Sequence, residues 1–171
     1  FPQLKYRYLT DIEIQTVQID ISRILRGNEV QKSGENELER WEKGWLEILD
    51  RIRLEGVSMD ALTPQYFHYN IFRYRGRYIQ SASRRFEQDI FELLKNIVIM
   101  KYLSTVSHIV ELGCGTGKNL LMMRTDFKQK KLTGCDWAVS SQELIGQINR
   151  VTGAEIKAVN LNLFSMEGWQ D

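Results

Sequence analysis

The sequence predicts an α/β protein, with a parallel Rossmann-like half-sheet in its C-terminal part and a helical N-terminal part. Three observations predict it. Up to about residue 105 apolar residues recur at helical spacing, and beyond it strand-like and helix-like segments alternate. Three glycines, Gly113, Gly115 and Gly117, separate the first strand-like run from the helix that follows it. Strand–helix alternation requires parallel strands joined by crossover helices. The expected division is a helical cap or lid over residues 1–104 and the first half of a ligand-binding domain over 105–171.

The elements follow in order. Thr10 and Glu13 form a Thr-x-x-Glu capping box ahead of a helix that carries Ile14, Val17, Ile21, Ile24 and Leu25 on one face, with Gly27 as a left-handed stop. Residues 28–34 are polar and read as a loop. A second helix is expected from about Asn36 to Glu55, with Leu38, Trp41, Trp45, Leu49 and Ile52 as its stripe and Gly56 as its stop. That spacing already accounts for the two tryptophans as core. Thr63-Pro64 suits the start of a short helix or a turn. A third helix, about Ser83 to Tyr102, places Phe86, Ile90, Leu93, Leu94, Ile97 and Met100 on one side. The alternating part then reads as strand 106–112, helix 118–126, strand 131–136, helix 140–151 and strand 155–161, with Ser140 and Glu143 as a second capping box.

Composition narrows the class. The chain has 171 residues, 43% hydrophobic and 26% charged, enough to bury a core and unlike a disordered segment. A formal net charge of +1 argues against a nucleic-acid partner and against a membrane surface. No apolar run approaches the ~20 residues needed to span a bilayer. The two cysteines, Cys114 and Cys135, make neither a disulfide framework nor a metal-ligand spacing, and they fit reduced, buried positions in a cytoplasmic protein. The start shows no signal-peptide layout, and the absence of an initiator Met suggests a trimmed chain or a piece of a longer one.

The glycine turn carries the chemistry. Glycines let backbone approach a ligand, and the following helix start offers free N–H groups and a positive dipole. The spacing is Gly113-x-Gly115-x-Gly117, and a dinucleotide fingerprint would need Gly or Ala where Lys118 stands. No G-x-x-x-x-G-K-[ST] run is present, which excludes the phosphate-cradling P-loop. Glu111, two residues before the first glycine, would repel a pyrophosphate but suits a cation. Asp136 ends the second strand, where a carboxylate can accept from both ribose hydroxyls, and Trp137 beside it can cover an adenine face.

The run His108-Ile109-Val110-Glu111-Leu112-Gly113-Cys114-Gly115-Thr116-Gly117-Lys118-Asn119-Leu120, followed by Gly134-Cys135-Asp136-Trp137, resembles motifs I and II of class I S-adenosylmethionine (SAM)-dependent methyltransferases. The resemblance covers about residues 105–165. It implies a larger sheet of which these are strands one to three, and a SAM cofactor that leaves as S-adenosylhomocysteine. It places Glu111, Gly113, Gly115 and Gly117 at the methionine part and Asp136 at the ribose, and counts Cys114 and Asn119 among the cofactor-binding residues. After the third strand Asn162 stands where many members have an acid near the adenine amino group, with Leu163 beside it.

The segment that commonly faces the methyl acceptor in that family lies beyond the third strand. The missing sheet half is expected from the rest of a longer chain or from a partner, and the first strand's far edge is expected to be unpaired. The acceptor is not specified, and no catalytic base is named. A non-catalytic module with a SAM-type fold and an NAD-binding oxidoreductase are the alternative readings. Tyr66 to Tyr78, dense in aromatics and arginines, reads as a lid over the cofactor, an amphipathic connector or a single-strand contact. In extended form it would set Arg73, Arg75 and Arg77 on one face.

Overall fold

The computed structural model describes residues 5–27, 37–64, 71–83 and 85–166. The chain packs as two compact units, each built from two separate stretches: Phe1–Ser33 with Gln65–Val98, and Gly34–Pro64 with Ile99–Asp171. The units therefore do not follow a cut at 104/105, since residues 34–64 pack with the C-terminal part.

The first unit is not purely helical, which corrects the expectation. It holds a three-stranded antiparallel sheet of order β1-β3-β2, from β1 (Tyr6–Tyr8), β2 (Ile71–Tyr74) and β3 (Arg77–Ser81). Arg75 and Gly76 form a two-residue hairpin turn with both φ values positive, 48° and 77°, the geometry that matches strand twist. The chain reverses there, so Arg73, Arg75 and Arg77 do not line one face of a single strand. Residues 65–70, which include Tyr66, Phe67, His68 and Tyr69, lie outside the described residues, as does the expected loop 28–34.

Helix α1 (Asp11–Arg26) starts with the predicted capping box: Glu13 N donates to Thr10 Oγ1 and Thr10 N donates to Glu13 Oε2 at 2.8 Å. Arg7 also binds Glu13 and, with donations to that carboxylate from Thr10 N and Thr10 Oγ1, holds it down at about 2. Gly27 ends the helix in a right-handed, not left-handed, conformation. Ile14, Val17 and Ile24 are half-buried, while Ile21 and Leu25 of the predicted stripe are exposed and no residue of the helix is fully buried. Phe72 packs on Phe86, the first residue of α3 (Phe86–Leu103), with ring centroids 5.4 Å apart. Farther along α3 the predicted stripe faces outward: Leu94, Ile97 and Met100 are exposed.

The second unit carries the parallel sheet, in the order β4-β5-β6, with β4 (His108–Leu112), β5 (Lys131–Asp136) and β6 (Ile156–Asn160) in register. It is α/β, as expected, with α4 (Lys118–Asp126) and α5 (Val139–Thr152) as crossovers. Among the described residues β4 pairs only with β5, and Val110 and Leu112 are exposed. His108 begins this strand exposed, with its Nε2 2.9 Å from Thr133 Oγ1. No described helix is long and apolar enough to cross a membrane.

Helix α2 (Leu38–Glu55) completes this unit by packing on α5. Its buried face, Trp45, Ile48, Leu49 and Ile52, has the i, i+3, i+4, i+7 spacing of an amphipathic helix and joins Leu144, Ile145 and Ile148 in one core. Gly56 stops it at φ 87°. The segment after it folds back as a turn, Leu62 N donating to Ser58 O and Thr63 N to Asp60 O, so Thr63 closes a turn, and a helix opening at Pro64 would lie outside the described residues.

The predicted Ser140/Glu143 capping box does not form. Helix α5 starts one residue earlier, at Val139 with Ala138 as its cap, and its free N–H groups are satisfied from elsewhere. Ala138 N donates to Asp136 Oδ1 at 3.0 Å, and Ser140 N donates to Glu42 Oε1 of α2 at 3.0 Å. Ser140 Oγ turns to Glu42 as well, donating to its carbonyl at 3.2 Å and its carboxylate at 3.1 Å. A carboxylate at a helix N-terminus is favoured by both the free N–H groups and the dipole.

Candidate ligand-binding site

The site lies at the C-terminal ends of the parallel strands, where open α/β sheets place ligands. From Leu112 the chain turns through Gly113, Gly115 and Gly117 at φ 67°, 51° and 72°, a left-handed path that side chains other than glycine rarely take. Gly117 is the cap of α4, and its N–H donates to Cys114 O at 2.9 Å. The middle glycine is required twice over. A Cβ on Gly115 would lie 2.9 Å from Trp45 Cζ2, so the α2 indole rests on the backbone of the turn.

Asp136 fixes that turn from below. One carboxylate oxygen accepts from Gly115 N at 2.8 Å and the other from Ala138 N at 3.0 Å. The side chain is 7% exposed, and this burial pushes its carboxyl above the usual range, with the two N–H donors pulling it partly back and the charge of Glu42 adding to the rise. Ser141 Oγ donates to Gly115 O at 2.5 Å, closing a second tie to the same glycine. The loop is thus held by bonds from β5 and α5.

Around this scaffold opens a pocket of about 210 Å³ lined by Trp41, Trp45, Gly113, Asp136, Trp137, Leu161, Leu163 and Phe164. Four of the predicted site residues therefore meet at one place: Gly113, Asp136, Trp137 and Leu163. Others support it from outside. Asn119 Nδ2 donates to Glu111 Oε1 at 2.7 Å, which joins the end of β4 to the first turn of α4. Cys114 is buried beneath the turn, its sulfur 3.5 Å from Ser141 Oγ. Asn162 does not line the pocket; its Oδ1 accepts from Phe164 N at 2.9 Å, a local turn bond that points Leu163 and Phe164 at the pocket instead.

Sequence reasoning missed Trp41, Trp45, Leu161 and Phe164. Phe164 was within reach, two residues past Asn162, and its ring lies 5.4 Å from that of Trp137. The tryptophans were read as core, which Trp45 is, yet both also face the pocket. Their rings are stacked, 5.4 Å apart at 29°.

Burial pushes the Cys114 thiol up to about 12 and the Cys135 thiol in the same direction, so neither forms a thiolate near neutral pH. The expected outcome with a chromogenic disulfide reagent at pH 8 is no fast-reacting thiol in the folded chain and two in guanidinium chloride. A single fast thiol without denaturant would contradict the buried placement. Among the described residues no cluster of His, Cys, Asp and Glu can hold a metal ion.

The chain matches no protein-family model, no curated protein and no solved structure.

Proposed function

We propose that the unit formed by residues 34–64 and 99–171 binds S-adenosylmethionine, and that the protein transfers its methyl group to an acceptor. The observation that carries this reading is the convergence of Gly113, Asp136, Trp137 and Leu163, from three successive strand ends, on one pocket. The chemistry of the lining fits the nucleoside part of that cofactor. Trp137 and Leu163 offer flat and apolar surface to a base, Asp136 offers carboxylate oxygens to ribose hydroxyls, and Gly113 brings backbone without a side chain. The pocket is smaller than the ~300–1,000 Å³ of sites for drug-sized ligands, which suits one ring-bearing part of the cofactor rather than all of it.

The cofactor, when bound, supplies a methyl group already activated on a sulfonium. The residues of this chain then bind, orient and exclude water, which is where alignment of donor and acceptor gains its rate. Glu111, held by Asn119 at the end of β4, adds negative charge on the side of the glycine turn where the cationic end would run. Titration calorimetry with S-adenosylhomocysteine tests the reading. Saturable heat is expected, while NADH, whose pyrophosphate would meet Glu111 beside the turn, gives none. Binding of NADH with no response to S-adenosylhomocysteine would overturn the proposal.

A further inference from the structure

We infer that Trp41 and Trp45 of α2 are ligand-binding residues that make the pocket charge-selective, favouring a nucleoside that carries a sulfonium or ammonium over its neutral thioether counterpart. The inference deepens the proposed function and rests on it. Four of the eight residues around the pocket are aromatic, one is a carboxylate, Asp136, and none is a cation. Aromatic faces are negative, and a cation within about 6 Å of a ring centroid gains roughly 0.5–2 kcal/mol, most over tryptophan. With a buried carboxylate in the same wall, the lining complements a positive ligand and opposes a phosphate.

The α2 tryptophans are placed for this role by more than packing. Trp45 rests on Gly115, the glycine whose N–H Asp136 holds, so the indole sits at the turn itself. Trp41 stacks on Trp45, is only half-buried and lines the pocket, and its ring already draws one cation, the Arg40 guanidinium, 5.3 Å from the centroid. Helix α2 cannot drift from this position easily. Glu42 caps α5 through Ser140, and Arg53 lies 3.6 Å from Glu143 of the same helix. Arg51 donates to Thr63 O at 2.9 Å and Lys118 Nζ to Thr63 Oγ1 at 2.8 Å, which ties the turn after α2 to α4. The ligand wall thus comes from a helix about seventy residues before the glycine turn.

The test compares three ligands by calorimetry on the full chain: S-adenosylmethionine, its stable amine analogue sinefungin, and S-adenosylhomocysteine. The two cationic ligands are expected to bind roughly tenfold tighter than the thioether, the range a cation–π contact supplies. In Trp41→Leu that ratio falls to within about twofold of one, and in Trp41→Phe, which keeps a ring, it is largely restored. Near-ultraviolet circular dichroism and thermal melting establish that both variants are folded. Equal affinities for all three ligands in the parent chain, or an unchanged ratio in Trp41→Leu, would overturn the inference while leaving the cofactor reading intact. No binding of any of the three would overturn both.

Discussion

An Asp136→Ala chain is expected to unfold about 2–4 kcal/mol more readily than the parent and to lose its response to S-adenosylhomocysteine. Alanine leaves two buried donors, Gly115 N and Ala138 N, without their acceptor, and each costs about 1–3 kcal/mol. Part of this is offset, because an ionised carboxylate in that position is itself desolvated. The offset has a pH signature. The folded pKa of Asp136 lies above its unfolded value near ~3.9, so protonation favours the folded state. That stabilisation is fully present below about pH 3.9 and is lost as pH rises through the raised folded value. The stability gap between parent and variant should therefore narrow with rising pH across that window. Asp136→Asn keeps one acceptor and presents an amide N–H₂ to the other donor, so it should fall between the two. Urea unfolding at several pH values measures all three, and a variant as stable as the parent would show that the carboxylate does not pin the turn.

Gly134→Val is expected to be more damaging still to the fold. Gly134 sits in β5 at an ordinary strand φ, so the backbone tolerates a side chain, but the space does not. A Cβ there would meet Leu120 Cδ1 at 2.6 Å, Ile145 Cδ1 at 2.7 Å and Cys114 Sγ at 2.9 Å. Leu120 and Ile145 are both 0% exposed and have no solvent into which to swing. Overpacking by one methyl costs about 1–3 kcal/mol, so Gly134→Ala already tests the point, and valine adds two more carbons to the same gap. Because Cys114 is part of the glycine turn, the strain is passed to the site. The alanine variant should bind ligand more weakly while still folded. An unfolding midpoint for Gly134→Val equal to the parent's would refute this account of the packing.

The alternating half of the chain was legible because each signal there is local. Period-two and period-3.6 patterns, a glycine turn and Asp136 at a strand end fix β4 through β6 without reference to anything distant. The first unit was not. Its strands are three to five residues long, and its hairpin turns on Arg75-Gly76, a pair without the Asn or Asp that usually marks such a turn. The start of α5 was misread for the opposite reason. Ser-x-x-Glu is a good local signal, but Glu42, 98 residues away in sequence, offers Ser140 a better acceptor, and tertiary context overrides the local option. The pocket was half legible on the same principle. The wall made by the strand ends carries its own motif, whereas the wall made by α2 looks like any amphipathic stripe until the helix is docked. Asn162 shows the reverse error, a residue in the right loop whose side chain is spent on its own turn.

The discontinuity of the second unit also sets an order of events during synthesis. Helix α2 is made with its apolar face and Glu42 ready, but apart from Ala61 and Leu62 the core residues that join that face lie beyond residue 98. At about 5–20 residues per second, roughly five to twenty seconds separate Glu42 from Ser140. During that interval the stretch 65–98 emerges and can assemble with residues 1–33, while two tryptophans and three aliphatic side chains of α2 have only Ala61 and Leu62 of their core neighbours at hand. The nascent chain is therefore most exposed to misassociation between the synthesis of residue 60 and that of residue 140, a window in which a chaperone that shields apolar helices would have the most to contribute.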